Sequence, residues 1–193
     1  YGEAKAWQIG YFSECMSGFE HQVASHMMAE GMTEESLILT RTIHDRYHAA
    51  KRNPFNEIEC SDHYGRAMAS YGTFISACGF DYNGPEGYIR FAPKWGADHF
   101  KAPFTAAEGW GAYSQERSAN GQEHTIGVKA GSLFLRSICL DKMDDRPVKA
   151  AEVLIAKQKN PVRFTLQDKQ IIIQLASFSR IHAGEDLRIT IRS

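Results

Sequence analysis

The sequence lacks any long apolar run and any block of like charges. Its longest apolar stretch, centred on residues 171–175, has the length of a β-strand and falls well short of the roughly 18 residues of a membrane-spanning helix. Basic and acidic side chains nearly balance, with a net charge of −1 and no run of five or six like charges. We therefore expect no membrane span and no nucleic-acid partner.

The sequence also lacks the short motifs of several enzyme and metal-binding classes. No Gly-rich phosphate loop follows a predicted strand, and no G-x-S-x-G nucleophile elbow occurs. The four cysteines include no C-x-x-C pair, which favours buried thiols over a zinc site or a disulfide framework. His44 and His48 are four residues apart, but the adjacent glutamate of the zinc-protease motif is missing. We expect neither a metal nor a cofactor.

The chain opens with Tyr1-Gly2-Glu3, without a methionine and without a charged and then apolar leader. We interpret this opening as a sign of a longer polypeptide. The 193 residues suffice for one ordinary domain or two small ones.

In the amino-terminal part, apolar residues recur at helical spacing. A helix from about Phe19 ends at Gly31, a residue suited to a left-handed cap, and a second helix begins at Thr33. These two form a predicted αα-hairpin. A third helix is predicted to end at Gly79. Gly72 in its interior indicates close packing, because glycine costs about 1 kcal/mol relative to alanine within a helix.

After about residue 123 the apolar residues alternate with a period of two, which predicts an antiparallel sheet or sandwich of about six strands. Residues 79–115, rich in glycine, proline and aromatic residues, are predicted to form turns and short strands that pack with the helices. The charge balance shifts from acidic to basic near residues 118–121. We predict an α+β protein with a helical part at 1–117 and a β-rich part at 118–193.

The densest polar cluster spans residues 53–66, before the third helix and in its first turns. Acids, a histidine and an arginine at a helix start suit the recognition of a polyol such as a sugar. The alternative is that the acids and Ser61 only cap the helix. Glu57 and Glu59 are two residues apart on one loop, whereas a retaining glycosidase needs two carboxyl groups about 5 to 5.5 Å apart across its substrate. We assign no catalytic residue.

A second stretch of interest places Glu108 two residues before Trp110, which has a glycine on either side. An acid near such a tryptophan suits a sugar-stacking platform, and a core tryptophan in a tight turn fits equally well.

Three short motifs resemble glycoside hydrolase family 116, which includes β-glucosidases and non-lysosomal glucosylceramidases. They are Ser13-Glu14-Cys15-Met16-Ser17-Gly18-Phe19, Asn56-Glu57-Ile58-Glu59-Cys60 and His63-Tyr64-Gly65-Arg66-Ala67-Met68. The resemblance covers residues 12 to about 117 and implies the carboxy-terminal part of an (α/α)6 toroid, a fold of six helical hairpins. It also implies that the nucleophile and the acid/base lie upstream of this chain, which alone would be inactive.

The resemblance carries substrate recognition to particular residues. An arginine nine residues after a glutamate, both contacting glucose hydroxyls in the family, is matched by Glu57 and Arg66. With the neighbouring motif residues, the predicted substrate-binding set is Glu57, Arg66, His63 and Glu14. Gly72 stands where the family has a second arginine, and Met16 where it has a tryptophan. These departures favour another sugar or a divergent subfamily.

Two functions from different classes stay open. The first is the carboxy-terminal portion of a retaining β-glycosidase, with a glycoside substrate and an amino-terminal domain or another subunit covering the helices. The second is a non-catalytic carbohydrate-binding or structural module. An exposed apolar face on the helices would favour the first, because two or three helices cannot close a toroid.

Overall fold

The computed structural model of the protein describes residues 16–51, 54 and 67–193. Within them, three helices precede ten strands. The helices are α1 (Ser17–Ala29), α2 (Thr33–Arg46) and α3 (Ala67–Cys78). The strands are β1 (Asp81–Asn83), β2 (Tyr88–Phe91), β3 (His99–Thr105), β4 (Gly109–Ser118), β5 (Gly121–Asp141), β6 (Ala150–Ile155), β7 (Gln158–Asn160), β8 (Val162–Gln167), β9 (Gln170–His182) and β10 (Asp186–Arg192). The chain divides into two compact units, the helical unit (residues 1–77) and the sheet unit (residues 78–193).

The predicted hairpin of α1 and α2 is confirmed. Gly31 has a φ of +85°, its amide donates to the carbonyl of Met28, and the amide of Met32 donates to that of Met27. These two hydrogen bonds form a Schellman cap, which satisfies the last carbonyls of α1 and reverses the chain within three residues. The Ser36 hydroxyl donates to the Ala24 carbonyl at 2.6 Å and joins the two helices.

Helix α3 packs against α1 through small and polar side chains. The hydroxyl oxygens of Ser25 and Ser76 are 3.0 Å apart, and a Cβ added at Gly72 would lie 3.3 Å from the Ser25 hydroxyl. The close packing predicted from Gly72 is confirmed. The apolar side chains at the other side of α3 stay exposed, with Met68 at 91%.

The ten strands form two sheets that share β5. The first sheet has the order β1-β2-β5-β9-β8 and uses residues 132–141 of β5. The second has the order β3-β4-β5-β10-β6-β7 and uses residues 121–131. A single strand of 21 residues therefore lies at the centre of both sheets.

Two irregularities let β5 serve both sheets. The register with β4 shifts between Trp110 and Gly111, and the register with β9 shifts between Leu135 and Ser137. Each shift changes which side of the strand faces inward, because side chains alternate strictly along a regular strand. The inward residues are accordingly Ile126 and Val128, then Leu133 and Leu135, then Ile138 and Leu140.

The inward side chains of both sheets form one apolar core. Its aromatic part is built on Phe91 and Tyr113, whose rings stack with centroids 3.9 Å apart. The fully buried aliphatic members include Ile89, Ile126, Leu135, Ile138, Leu140, Val153, Ile171, Ile173, Ile181, Leu187 and Ile191. This core follows from the alternating apolar residues of the sequence.

The sheet unit differs from the sequence-based expectation in two respects. The strand pair β2–β5 is parallel, so the sheet is mixed rather than wholly antiparallel. Within residues 79–115, predicted to form turns and short strands, the structure has the longer strands β3 and most of β4, and β4 pairs with β5 along its whole length. The compact units consequently divide between Ala77 and Cys78, whereas the predicted boundary near Ser118 falls in the β4–β5 turn.

The fold is α+β, as predicted, with three helices and a sheet-dominated remainder in the described residues. The structure gives one helical hairpin and a third helix, so the toroid stays a prediction. No helix in the described ranges has both the length and the apolar character that crossing a bilayer requires.

Candidate substrate-binding end of the helical unit

The three helices bring particular ends together. The Thr73 hydroxyl donates to the His21 carbonyl at 3.5 Å, and Ser76 meets Ser25 four residues further along α1, so α1 and α3 run parallel. Helix α2 runs antiparallel to α1. The first turns of α1 and α3 and the last turn of α2 therefore lie at one end of the unit, which we call the open end.

An ion pair joins α1 and α2 at the open end. Arg46 donates from Nη1 to Oε1 of Glu20 at 3.2 Å and from Nη2 to Oε2, so both carboxylate oxygens are bound. Both side chains are partly buried, Arg46 at 25% and Glu20 at 33% exposure, so solvent screens this pair less than it screens a fully exposed one. Glu20 lies in the first turn of α1 and Arg46 in the last turn of α2, the positions that each helix dipole favours.

Further polar groups surround this pair. The Tyr47 hydroxyl donates to the Ser17 hydroxyl at 3.4 Å, which ties the residue after α2 to the first residue of α1. The Nε of Arg46 is buried and has no hydrogen-bond partner within the described parts of the chain.

The predicted substrate-binding residues Glu57, Arg66, His63 and Glu14 lie outside the described residues. Their attachment points are described, however. Glu14 precedes Met16, which adjoins the first turn of α1, and Arg66 immediately precedes α3. The segment between α2 and α3 carries the other two predicted residues. Both motif-bearing segments therefore join the described helices at the open end.

Glu20 and Arg46 were missed by reasoning from the sequence. They are separated by 26 residues and lie on different helices. Neither belongs to one of the three family-like motifs, although Glu20 directly follows the first. Only the antiparallel hairpin brings them together. The predicted turn after α1 was the one signal that placed the two helices side by side.

The helical unit also presents an apolar groove. Phe19, Val23, Met27 and Met32 line it together with polar side chains of α1, and its volume is about 510 Å³. Phe19 is 62% exposed. The groove is a surface of the kind that another protein element usually covers.

In the sheet unit, the exposure of Trp110 decides between the two interpretations of its glycine-flanked stretch. Its side chain is 53% exposed, on β4, so it is not a core tryptophan. Glu108, just before β4, accepts a hydrogen bond from the Ser132 hydroxyl at 3.2 Å and lies 3.6 Å from a guanidinium nitrogen of Arg180. An exposed acid and an exposed tryptophan are thus present, as a sugar-stacking platform requires.

The sheet unit buries one titratable network. The Tyr113 hydroxyl donates to Oε1 of Gln115 at 2.8 Å and lies 2.9 Å from Nδ1 of His124. Burial, with a smaller effect of the Arg117 charge, lowers the pKa of His124 to about 3, and burial also raises the pKa of Tyr113. The network is neutral at physiological pH and enclosed by the core, which suits a structural role rather than catalysis.

The described cysteines are unreactive by position. Cys78 and Cys139 are free and buried, and burial raises the pKa of Cys78 to about 11 and that of Cys139 above its ordinary value. Across residues 16–51, 54 and 67–193, no group of three or more potential ligand side chains is arranged to hold a metal.

Comparison with known proteins gives limited matches. No family model matches the chain, and no curated protein matches it in sequence. An α-L-rhamnosidase from Dictyoglumus thermophilum is similar in structure, with 11% identity, a TM-score of 0.39, and coverage of 72% of this chain and 16% of that one. A GH127 β-L-arabinofuranosidase from Geobacillus stearothermophilus T6 has 12% identity, a TM-score of 0.38, and coverage of 65% and 18% respectively. Both are glycoside hydrolases, and this chain spans less than a fifth of either.

Proposed function

We propose that the helical unit supplies part of the sugar-binding site of a glycoside hydrolase, at the open end of α1, α2 and α3. Glu57 and Arg66 bind hydroxyls of the substrate in this proposal, with His63 and Glu14 beside them. The chemistry is that of a retaining β-glycosidase whose nucleophile and acid/base come from an upstream region of a longer polypeptide.

The observation that supports the proposal is that the helix ends next to both motif-bearing segments lie together at the open end. Glu14 and Arg66 are 52 residues apart in sequence. Arg66 immediately precedes α3, Glu14 lies shortly before α1, and these two helices are parallel neighbours. Polar groups from separate segments can surround one sugar ring, and bidentate hydrogen bonds from carboxylates and guanidiniums fix its orientation.

The Glu20–Arg46 pair supports the proposal from the described side. It fixes the last turn of α2, from which the segment carrying Glu57 and Arg66 departs, against the first turn of α1. A binding loop anchored at both ends on packed helices holds its polar groups with less loss of conformational entropy on binding.

The apolar groove supports the part of the proposal that concerns a longer protein. Further helices of a toroid, or another subunit, would cover Phe19, Val23 and Met32 and remove the exposed apolar area from water. Gly72 and Met16 stand where the β-glucosidase pattern has an arginine and a tryptophan. We therefore propose a β-glycoside substrate whose sugar differs from glucose at the positions that the family's arginine and tryptophan contact.

The test is the intact mass of the native gene product combined with its hydrolysis of a panel of aryl β-glycosides. We expect a longer product with activity on at least one member. In that product, Glu57→Gln removes one charge-assisted hydrogen-bond acceptor and lowers kcat/KM by about tenfold to a hundredfold.

Glu34→Gln is the matched control, because Glu34 is an exposed acid in the first turn of α2 at the opposite end of the helices. It leaves kcat/KM unchanged. Wild-type hydrolysis by Glu57→Gln, or inactivity of the native product on the entire panel, contradicts the proposal. The latter outcome favours a non-catalytic carbohydrate-binding or structural module, for which the self-contained core of the sheet unit is the supporting observation.

A further inference from the structure

Two phenylalanines and two arginines form an exposed cluster on the outer face of the first sheet. The rings of Phe134 on β5 and Phe178 on β9 stack with centroids 4.7 Å apart and planes within 3° of parallel. The guanidinium of Arg180 lies 5.7 Å from the centroid of Phe134, and that of Arg136 lies 5.3 Å from the centroid of Phe178. We call these four residues the aromatic–arginine cluster.

The backbone around the cluster is shaped to hold it. Between the pairs Leu135–Ser179 and Ser137–Gln174, four residues of β9 face one residue of β5, and Phe178 belongs to this bulge. The amides of Arg136 and Ser137 both donate to the Gly87 carbonyl. A Cβ added at Gly87 would come within 2.7 Å of the Phe178 ring, so the ring occupies the space that a larger residue would fill.

The cluster presents positive charge with apolar surroundings. Each phenylalanine ring stacks on the other and has a guanidinium over it. Stacking on a ring holds a guanidinium in place while its N–H groups stay available. In the described residues no carboxylate pairs with Arg136, whereas Arg180 has Glu108 nearby. The surface therefore suits an anionic group, and a carboxylate matches the planar fork of arginine.

Glu108 selects between anionic ligands. It stands at the edge of the cluster, 61% exposed, and contacts Ser132 and Arg180. A second carboxylate placed beside it would be repelled, which disfavours an acidic peptide. A sugar acid differs, because its hydroxyls donate to the Glu108 carboxylate while its own carboxylate accepts from Arg136.

We propose that the aromatic–arginine cluster is a binding site for a uronate-bearing glycan, separate from the open end of the helical unit. The choice of a glycan rests on the proposed function. The binding itself requires no hydrolysis, so its test is independent of activity.

The experiment measures binding of a neutral oligosaccharide that ends in a single galacturonate, and of the methyl ester of that galacturonate, to the 193-residue chain by calorimetry at low ionic strength. The ester keeps the hydroxyls and removes the charge. We expect the acid to bind and the ester to bind at least about tenfold more weakly, with affinity for the acid falling as salt is added. Arg136→Gln and Phe178→Ala each weaken binding of the acid by about tenfold.

Arg188→Gln is the matched control, because Arg188 is an exposed arginine on β10 in the other sheet. It leaves the affinity unchanged, and thermal unfolding verifies that each variant is folded. Absence of binding, equal affinity for acid and ester, or equally tight binding of poly-glutamate overturns the proposal. Each of these results leaves the glycosidase proposal standing, because that depends on Glu57 and Arg66.

Discussion

The helical unit and the sheet unit bury their apolar side chains to different extents. In the sheet unit the inward side chains of two sheets meet in one core, where residues such as Ile138 and Ile173 have no exposed surface. In the described part of the helical unit, the buried apolar side chains are Ala24, Met28 and Ile43. Large ones such as Ile38 stay exposed, at 60%.

The difference teaches that a correct local pattern does not by itself give a complete core. A strand pairs with its neighbours and turns one face inward, so alternation in sequence becomes burial once a second sheet lies opposite. A helix satisfies its own backbone and buries its apolar face only where a partner helix covers it. Within the described residues of the helical unit, α1 contacts both α2 and α3, while large apolar side chains of α2 and α3 stay exposed.

The largest expected effect comes from truncating one isoleucine in each unit. Ile138→Ala removes a fully buried side chain from the shared strand and lowers the free energy of unfolding of the sheet unit by about 2 to 5 kcal/mol. Ile38→Ala changes that of the helical unit by no more than about 0.5 kcal/mol, because the side chain is already in water. Denaturant unfolding followed by hydrogen exchange at amides of each unit measures both.

A loss above about 2 kcal/mol for Ile38→Ala would break the comparison, since it would require a covered α2 face. An equally small loss for Ile138→Ala would break it from the other side, because the sheet unit would then have no tightly packed core.

A pair of glycine substitutions gives the next effect. Gly131 has a φ of +71°, and an added Cβ would lie 2.0 Å from the Glu108 carbonyl oxygen, so Gly131→Ala costs about 3 kcal/mol through strain and collision. Gly72 is helical and its added Cβ meets the Ser25 hydroxyl at 3.3 Å. Gly72→Ala gains up to about 1 kcal/mol of helix propensity but displaces the Ser25 hydroxyl, which is bonded to Ser76, so its net effect is smaller than that of Gly131→Ala. Thermal unfolding of the two variants measures this difference.

Gly31→Ala is the control for backbone strain alone, because Gly31 has a φ of +85° with no atom within 4 Å of an added Cβ. Its cost of about 1 kcal/mol isolates the conformational part. If Gly131→Ala costs no more than Gly31→Ala, the backbone has moved and relieved the collision with the Glu108 carbonyl oxygen.

The smallest expected effect concerns acid and the buried histidine. Burial holds the pKa of His124 at about 3, below its ordinary value of 6.5, so the unfolded chain takes up a proton that the folded sheet unit refuses. The stability that the neutral His124 contributes is fully present above pH 6.5 and is lost as the pH falls towards 3. Between pH 6 and pH 5, the free energy of unfolding falls by about 1 kcal/mol through this group.

The measurement is the difference in the free energy of unfolding between the wild type and His124→Gln across that range. The variant lacks the titrating group, so its stability falls less steeply on acidification. Parallel pH profiles would show that the folded sheet unit accepts the proton on His124, contrary to the burial of the ring within the network with Tyr113.

Much of the fold could be predicted from local signals. Gly31 and Thr33 marked the end of α1 and the start of α2, and the alternating residues after Glu123 fall in five strands, β5, β6, β8, β9 and β10. The parallel pairing of β2 with β5 could not be predicted, because strand partners are chosen by tertiary packing. The inclusion of β3 and β4 in the sheet depended likewise on a partner that follows them in the chain.

The candidate site shows the same limit. Motif spacing selected Glu57 and Arg66, which stay predictions, but gave no indication of Glu20 and Arg46, whose contact exists only because α1 and α2 fold back on each other. Likewise, the sequence left Trp110 open between core and surface, since a tryptophan between glycines is compatible with both.

The sharing of β5 has a consequence for how the sheet unit opens. Both sheets lose their central strand if the whole of β5 unpairs, so we expect the sheet unit to unfold in one cooperative step. A chain cut within β5 would divide the sheets between two fragments, each lacking a neighbour for its central strand. A cut in the turn at residues 168–169, between β8 and β9, leaves the two halves of β5 joined, and complementing fragments divided there can reassemble around it.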